Sequence, residues 1–367
     1  MKICHLSSVH PRNDIRIFLK ECISLKDAGY DVSYVVADGL RDDNVNAINI
    51  YDVGKVKHRL TRMFVSSLKV VFKGLSLKAD LYHFHDPELA PFCLVYLLLG
   101  KKVIFDVHEN VAEQIQDKPW LGNFQKKLLS RLFHTLNKFF ARTFYTIIAE
   151  NSYSSIYDKM NLKLPLTTVL NYPKLNFFKS YQSNIRNGNE FFYIGGVSNN
   201  RGLDTILEAF DFLDKQKIDF KMHFIGAISD STNLEKFPNL SKKVIFYGRK
   251  NLEDGYEISR RCVAGLAILK PIGNYVKSYP TKVFEYMAVG LPVVTSNFSL
   301  YKQIVEDNEV GWCVDPNSPR EIAQLLNEII NDNSLETISK RAMEHSVNYS
   351  WKNEEEKLLM LYRTILE

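Results

Sequence analysis

The sequence predicts an α/β protein made of two doubly wound parallel-sheet domains that face one another across a cleft. Three observations carry this expectation. The chain has 367 residues, which at about 150 residues per domain gives room for two independent cores. Short apolar runs alternate with amphipathic segments almost from end to end, the pattern of βα units and hence of parallel sheets. The alternation breaks once, in NYPKLNFFKSYQSNIRNGNE from Asn171 to Glu190, a polar stretch with Pro and Gly that suits a linker. The expected domains are 1–175 and 176–345, with a terminal helix over 346–367 packing back on the first.

In chain order, KICHL is the first strand and SSVHPRND the loop after it. A helix follows in which Ile17, Cys22, Leu25 and Ala28 keep helical spacing and Gly29 supplies the stop. DVSYVVA, DLYHFH, KKVIFDV, FYTIIAE and LTTVLN complete a sheet of about six strands. After the linker, EFFYIGG, KMHFIGA, KVIFYGR, AGLAILK and PVVTSN read as a second set of strands. Helices lie between them, and one carries Leu203, Ile206, Leu207 and Phe210 on a single stripe. The closing SWKNEEEKLLMLYRTILE is a helix capped at Ser350 with a Glu-rich first turn. In doubly wound sheets, ligands bind at the carboxyl ends of the strands.

With 46% hydrophobic, 24% charged and 12% aromatic residues, disorder, collagen-like repeats and coiled coil are excluded as the main architecture. Five scattered cysteines without a CxxC pair read as reduced thiols of a cytoplasmic protein. The start MKICHLSSVHP has no signal-peptide core. The longest apolar run, LAPFCLVYLLLG, contains Pro91 and falls short of the roughly 20 residues of a spanning helix. Any membrane contact is therefore expected to be peripheral, on the cytoplasmic face.

The most informative segment is SYPTKVFEYMAVGLPVVTSN. Pro280 and Thr281 open a helix whose buried side is Val283, Phe284 and Met287, and Gly290 closes it. Glu285 is then a carboxylate about one turn into the helix, placed to accept from two vicinal hydroxyls, as on a ribose. The helix N-terminus suits a phosphate. In YIGGVSNNRG, Gly195 and Gly196 let the backbone approach a ligand, and Arg201 sits near the start of the next helix.

The chain resembles the family 4 glycosyltransferases. The likeness is carried by HPRNDIRIFLKECISLKDAGYDV, FHDPELAP, VIFDVHE, YIGGVSNNRGLDTILEAF and, most specifically, PTKVFEYMAVGLPVV. It implies the GT-B fold of two facing Rossmann-like domains. It also implies transfer of a sugar from a nucleotide-diphosphate sugar to an acceptor hydroxyl, with retention and without a metal, in cell-surface polysaccharide or glycolipid synthesis. Glu285 matches the family's ribose-binding Glu, and Lys277 stands where its first, sugar-facing Glu would be. Arg201 takes the place of a diphosphate-binding Lys, while Gly196 replaces the companion Arg. Lys277 or Lys282 is expected to supply the missing cation. A nucleotide-sugar epimerase of GT-B architecture and a catalytically inactive GT-B partner subunit are the alternatives.

In the first half, HFHDPEL holds His83, His85, Asp86 and Glu88, and DVHE holds Asp106, His108 and Glu109. His108 matches the family's sugar-contacting His; Asp106 and Glu109 are candidates for acceptor binding or hydroxyl activation. His83 is expected in the core, pointing away from His85. No metal is expected: ligands would have to converge from two loops, and neither HExxH nor Asp-x-Asp occurs.

Residues 1–180 carry 25 Lys+Arg against 17 Asp+Glu, and residues 181–367 carry 22 against 25. Lys118 to Ala149 contains six basic and no acidic residues. It reads as a helix with Phe124, Leu128, Leu132, Leu136 and Phe140 on one side and Lys127, Arg131, Lys138 and Arg142 on another. Expected partners are the nucleotide sugar, a glycan or lipid-linked acceptor, and an anionic membrane met peripherally; no nucleic-acid motif accompanies the basic stretch.

Overall fold

A computed structural model describes residues 1–58, 61–108, 111, 115, 121–229 and 236–367. The chain forms two compact units, Met1–Asn171 with Trp351–Glu367, and Tyr172–Ser350. Among the described residues, no helix is long and apolar enough to cross a membrane.

The first unit is built on β1 (Lys2–Leu6), β2 (Asp31–Val36), β3 (Asp43–Val45), β4 (Ile48–Asp52), β5 (Leu81–Phe84), β6 (Lys102–Val107), β7 (Tyr145–Ile148) and β8 (Leu166–Thr168). They form one sheet in the order β3-β4-β2-β1-β5-β6-β7-β8, parallel except where β3 runs antiparallel to β4. The order reverses between β1 and β5, and that reversal is the ligand-binding point of a doubly wound sheet. The sequence pattern showed about six of these strands. The hairpin β3–β4 escaped it because its turn residues Asn46 and Ala47 have φ of 53° and 62°, a left-handed pair built without the glycine that usually signals such a turn.

One face of this sheet packs against α2 (Ser67–Ser76), α3 (Ala90–Leu98) and the end of α4 (Asn123–Ala141). The other face packs against a π-helical segment Ile17–Cys22 running into α1 (Ile23–Asp27). It also receives the terminal helix α11 (Trp351–Leu366), through Trp351, Leu358, Leu361 and Tyr362. Trp351 Nε1 donates to Ser24 Oγ at 2.9 Å, and Glu354 accepts the Leu170 N–H at 2.8 Å.

The second unit contains β9 (Glu190–Ile194), β10 (Lys221–Ile225), β11 (Val244–Phe246), β12 (Ala264–Ala267), β13 (Val293–Ser296) and β14 (Gly311–Val314). All are parallel, in the order β11-β10-β9-β12-β13-β14. Here the order reverses between β9 and β12, beside the YIGG loop. The edge strand β14 lay outside the expected set, because GWCV offers only a short run with a leading Gly. Helices α5 (Leu203–Lys215), α6 (Leu252–Ser259), α7 (Thr281–Ala288), α8 (Ser299–Val305), α9 (Pro319–Ile330) and α10 (Leu335–Ser346) complete the unit. The stripe Leu203, Ile206, Leu207 and Phe210 of α5 lies in its core.

Candidate functional site

In the second unit, β9 runs into Gly195, whose φ of +118° favours glycine. The loop then turns at Gly202, where a Cβ would meet the Ile268 carbonyl oxygen at 2.5 Å. Only a glycine lets α5 start this close to the end of β12. Arg201, just before that turn, swings back so that its Nη1 lies 3.3 Å from where a Gly196 Cβ would sit. Its guanidinium meets the hydroxyls of Tyr193 and Tyr275, and Tyr193 in turn donates to the Gly196 carbonyl at 2.6 Å.

Helix α7 approaches the same loop. Val283, Phe284, Tyr286 and Met287 fix it in the core, which turns Lys282 and Glu285, three residues apart, toward the glycines. Lys282 Nζ lies 3.6 Å over the centroid of the Tyr193 ring and 3.5 Å from a Gly195 Cβ position. It is buried and makes no hydrogen bond. Burial first, and Arg201 second, push its pKa well below the ordinary lysine value, although Glu285 acts the other way. Glu285 Oε2 accepts from the Tyr256 hydroxyl at 2.5 Å. Burial and the adjacent carboxylate raise the Tyr256 pKa well above the usual phenol range, so this hydroxyl remains a donor.

Gly195, Gly196, Arg201, Lys282 and Glu285 are thus brought together at the switch point of the second sheet. Thr281 opens α7 as a half-buried residue, whereas Lys277 is exposed at the end of the short turn Gly273–Val276. Of the two lysines considered as substitute cations, Lys282 is the one packed against the glycines. Tyr256 was invisible in the sequence, where it is one apolar-spaced residue of α6.

In the first unit the residues converge on Asp106, at the end of β6. Its carboxylate is buried and accepts from Arg16 Nε at 3.1 Å and Nη2 at 3.0 Å, and it meets His108 Nε2 at 2.7 Å and His85 Nδ1 at 3.3 Å. Burial acts to raise its pKa, but Arg16 and His108 hold it well below the usual carboxylate range. The expectation that Asp106 meets an acceptor is corrected by this burial: it reaches a ligand only through His108, whose side chain is 14% exposed. Glu109 lies outside the described residues.

Arg16 arrives here through the π-helical segment. Asp14 Oδ1 accepts the N–H groups of Arg16 and Ile17 at 2.9 Å each, and the wide turn that follows directs both Arg16 and Glu21 inward, a common use of π geometry at functional sites. Arg16 Nε is also 3.1 Å from Glu21 Oε1. Glu21 is wholly buried, and burial together with Asp106 pushes its pKa well above the usual range despite Arg16.

His83 does not point away from His85. Residues two apart in a strand share a face, and the two rings lie 4.5 Å apart with His5 stacked nearby. Burial lowers the pKa of His5 and His83 well below the usual value and that of His85 to about 4. The reason given for expecting no metal, that ligands would not converge, is also corrected: donor atoms of His5, Glu21, His83 and His85 lie within 4.8 Å of one another. At the rim, His10 pairs with Asp14 at 3.2 Å and Asp86 at 3.5 Å. Burial opposes protonation of His10, but these carboxylates outweigh it and raise its pKa.

Residues 177–345 match the family described as glycosyl transferases group 1. The match lies within the second unit and covers just under half of the chain, which has the GT-B fold. The chain is 23% identical over 331 residues to an uncharacterized glycosyltransferase of Haemophilus influenzae, covering 87% of each chain. It is 25% identical over 180 residues to the probable glycosyltransferase WbjE of Pseudomonas aeruginosa, spanning 48% of this chain and less than half, 44%, of that protein. Among solved structures, Anabaena HepE in complex with UDP-glucose superposes with a TM-score of 0.70 over 99% of this chain and 100% of that chain. At 14% identity, that likeness concerns the fold.

Proposed function

We propose that this protein is a glycosyltransferase that takes a sugar from a nucleoside diphosphate and places it on an acceptor hydroxyl, with retention, in surface polysaccharide or glycolipid synthesis. The observation that carries the reading is Lys282. A buried ammonium without a hydrogen-bond partner is costly, and this one sits beside a second cation and two glycines. A diphosphate relieves that cost, with Lys282 and Arg201 as its cations and the Gly195–Gly196 backbone beside it. Glu285, held by Tyr256, then accepts from the ribose hydroxyls.

In the transfer, the acceptor oxygen bonds to the anomeric carbon as the bond from that carbon to the diphosphate oxygen breaks; negative charge grows on the leaving diphosphate, which takes up the proton of the acceptor hydroxyl. Cations already fixed at that charge lower the barrier without reorganising. His108, oriented by Asp106, contacts the sugar. The N-terminal unit binds a glycan or lipid-linked acceptor at an anionic membrane, on the cytoplasmic face, in keeping with its basic surplus. Anabaena HepE, which shares the fold, forms a complex with UDP-glucose, and this supports a nucleotide-sugar donor. Calorimetric titration of UDP, GDP and ADP into the wild-type protein and a Lys282→Met variant tests the reading.

A further inference from the structure

Helix α4 does not pack the way an amphipathic helix on a sheet should. Only Phe140 and Ala141, at its last turn, are buried. Phe124, Leu128, Leu132, Leu136 and Phe139 are 79, 58, 51, 41 and 53% exposed. The first four recur every four residues, and Phe139 falls beside them, so they form one outward apolar strip. Lys127, Arg131 and Lys138 repeat at intervals of four and seven and therefore form a second strip along one edge of the first. The helix contains no acidic residue.

The neighbouring helices repeat the combination. Val70 and Val71 of α2, Cys93 and Tyr96 of α3, and the end of α4 all enter one core layer, so the three helices cover the same side of the sheet. On that side Phe72 of α2 and Leu98 near the end of α3 are 62 and 85% exposed. Lys69 and Lys73 accompany the first, and Lys101 and Lys102 follow the second.

We propose that this side of the N-terminal unit is a membrane-docking surface, with α4 lying flat in the interface of an anionic bilayer. The inference rests on the proposed membrane contact of this unit and assigns that contact to a surface, with α4 as its principal element. At 19 residues and about 1.5 Å per residue the helix is roughly 28 Å long, and charges along its whole length preclude spanning. Lying in the plane, it inserts the apolar strip among the acyl chains while Lys127, Arg131 and Lys138 meet lipid phosphates. A second copy of the chain is the less favoured occupant, because a symmetric α4–α4 pair would set one acid-free basic helix against another.

The test is sedimentation of the full chain with phosphatidylglycerol/phosphatidylcholine vesicles and with phosphatidylcholine alone. We expect binding to the anionic vesicles, at least tenfold weaker without the anionic lipid. Leu128→Glu/Leu132→Glu should abolish it, and Lys127→Glu/Arg131→Glu should weaken it by about tenfold or more. Circular dichroism and nucleoside diphosphate affinity should be unchanged in both variants, which separates this proposal from the donor site. Wild-type protein that ignores anionic vesicles, or a Leu128→Glu/Leu132→Glu variant that still sediments with them, overturns it. So does a dimer in lipid-free ultracentrifugation that these substitutions dissociate.

Discussion

The Tyr256 hydroxyl, on α6, donates to Glu285 Oε2, on α7, at 2.5 Å. The pair joins α6, which packs on β9, to α7, which packs on β12 and β13, and anchors the carboxylate. Hydrogen bonds to charged groups are worth about 1.5–3 kcal/mol, so Glu285→Gln should weaken nucleoside diphosphate binding by about 10- to 100-fold. Tyr256→Phe keeps the carboxylate but releases it, and should weaken binding less, by about threefold to tenfold. Calorimetry on both variants checks the order; equal affinities for wild type and Glu285→Gln would remove the carboxylate from the site.

Lys282 makes a prediction of opposite sign for stability and for binding. Its ammonium is buried without a hydrogen-bond partner, so Lys282→Met should leave the ligand-free protein as stable as wild type or more so, by up to about 3 kcal/mol. The same variant should lose diphosphate affinity. Because its folded pKa is depressed, the wild-type protein gains stability as pH rises through that value toward the unfolded lysine value, and Lys282→Met should lack this gain. Binding an anion favours the charged amine, so diphosphate binding should take up protons and weaken as pH rises. Calorimetry in buffers of different ionisation enthalpy reads the uptake.

The buried carboxyls of the first unit respond oppositely to pH. Asp106 has a folded pKa below its unfolded value. Its contribution is therefore present above about pH 4 and is lost as pH falls through the folded value. Glu21 has a raised folded pKa, so its contribution is complete below about pH 4 and is lost as pH rises through the folded value. Glu21→Gln should then gain on wild type between pH 5 and 8, by up to about 1.4 kcal/mol per pH unit over the window in which only the unfolded chain ionises. Asp106→Asn should cost up to about 3–5 kcal/mol by leaving the buried Arg16 with Glu21 as its nearby carboxyl. Urea denaturation across that range measures both.

His108 and Asp106 should separate binding from turnover. His108→Ala should lower transfer at saturating donor by about tenfold or more while nucleoside diphosphate affinity stays within about twofold. If Asp106 acts through His108, Asp106→Asn should reproduce that pattern in the folded fraction, and the double variant should be no worse than either alone.

What the sequence disclosed follows from how local each signal is. The YIGG loop and the PTKVFEY helix could be read because glycines, a proline and a helical stripe lie within a few residues of one another. Tyr256, Arg16 and Glu21 could not, because their roles arise from long-range packing and from a π-helical turn that has no periodic signature of its own. His83 differs, since the two-residue spacing alone puts it on the face of His85, and the hairpin β3–β4 was hidden by a turn that lacks glycine. The apolar strip of α4 was visible in the spacing, but periodicity marks an apolar side without saying what covers it.

If Lys282, Arg201 and Glu285 form the donor site, titration of nucleoside diphosphates must separate wild-type from Lys282→Met protein. At least one of UDP, GDP and ADP should bind the wild type, and the variant should bind it at least tenfold more weakly while melting at the same temperature or higher. Unchanged affinity in the variant, or a wild-type protein that binds none of the three, would contradict this assignment.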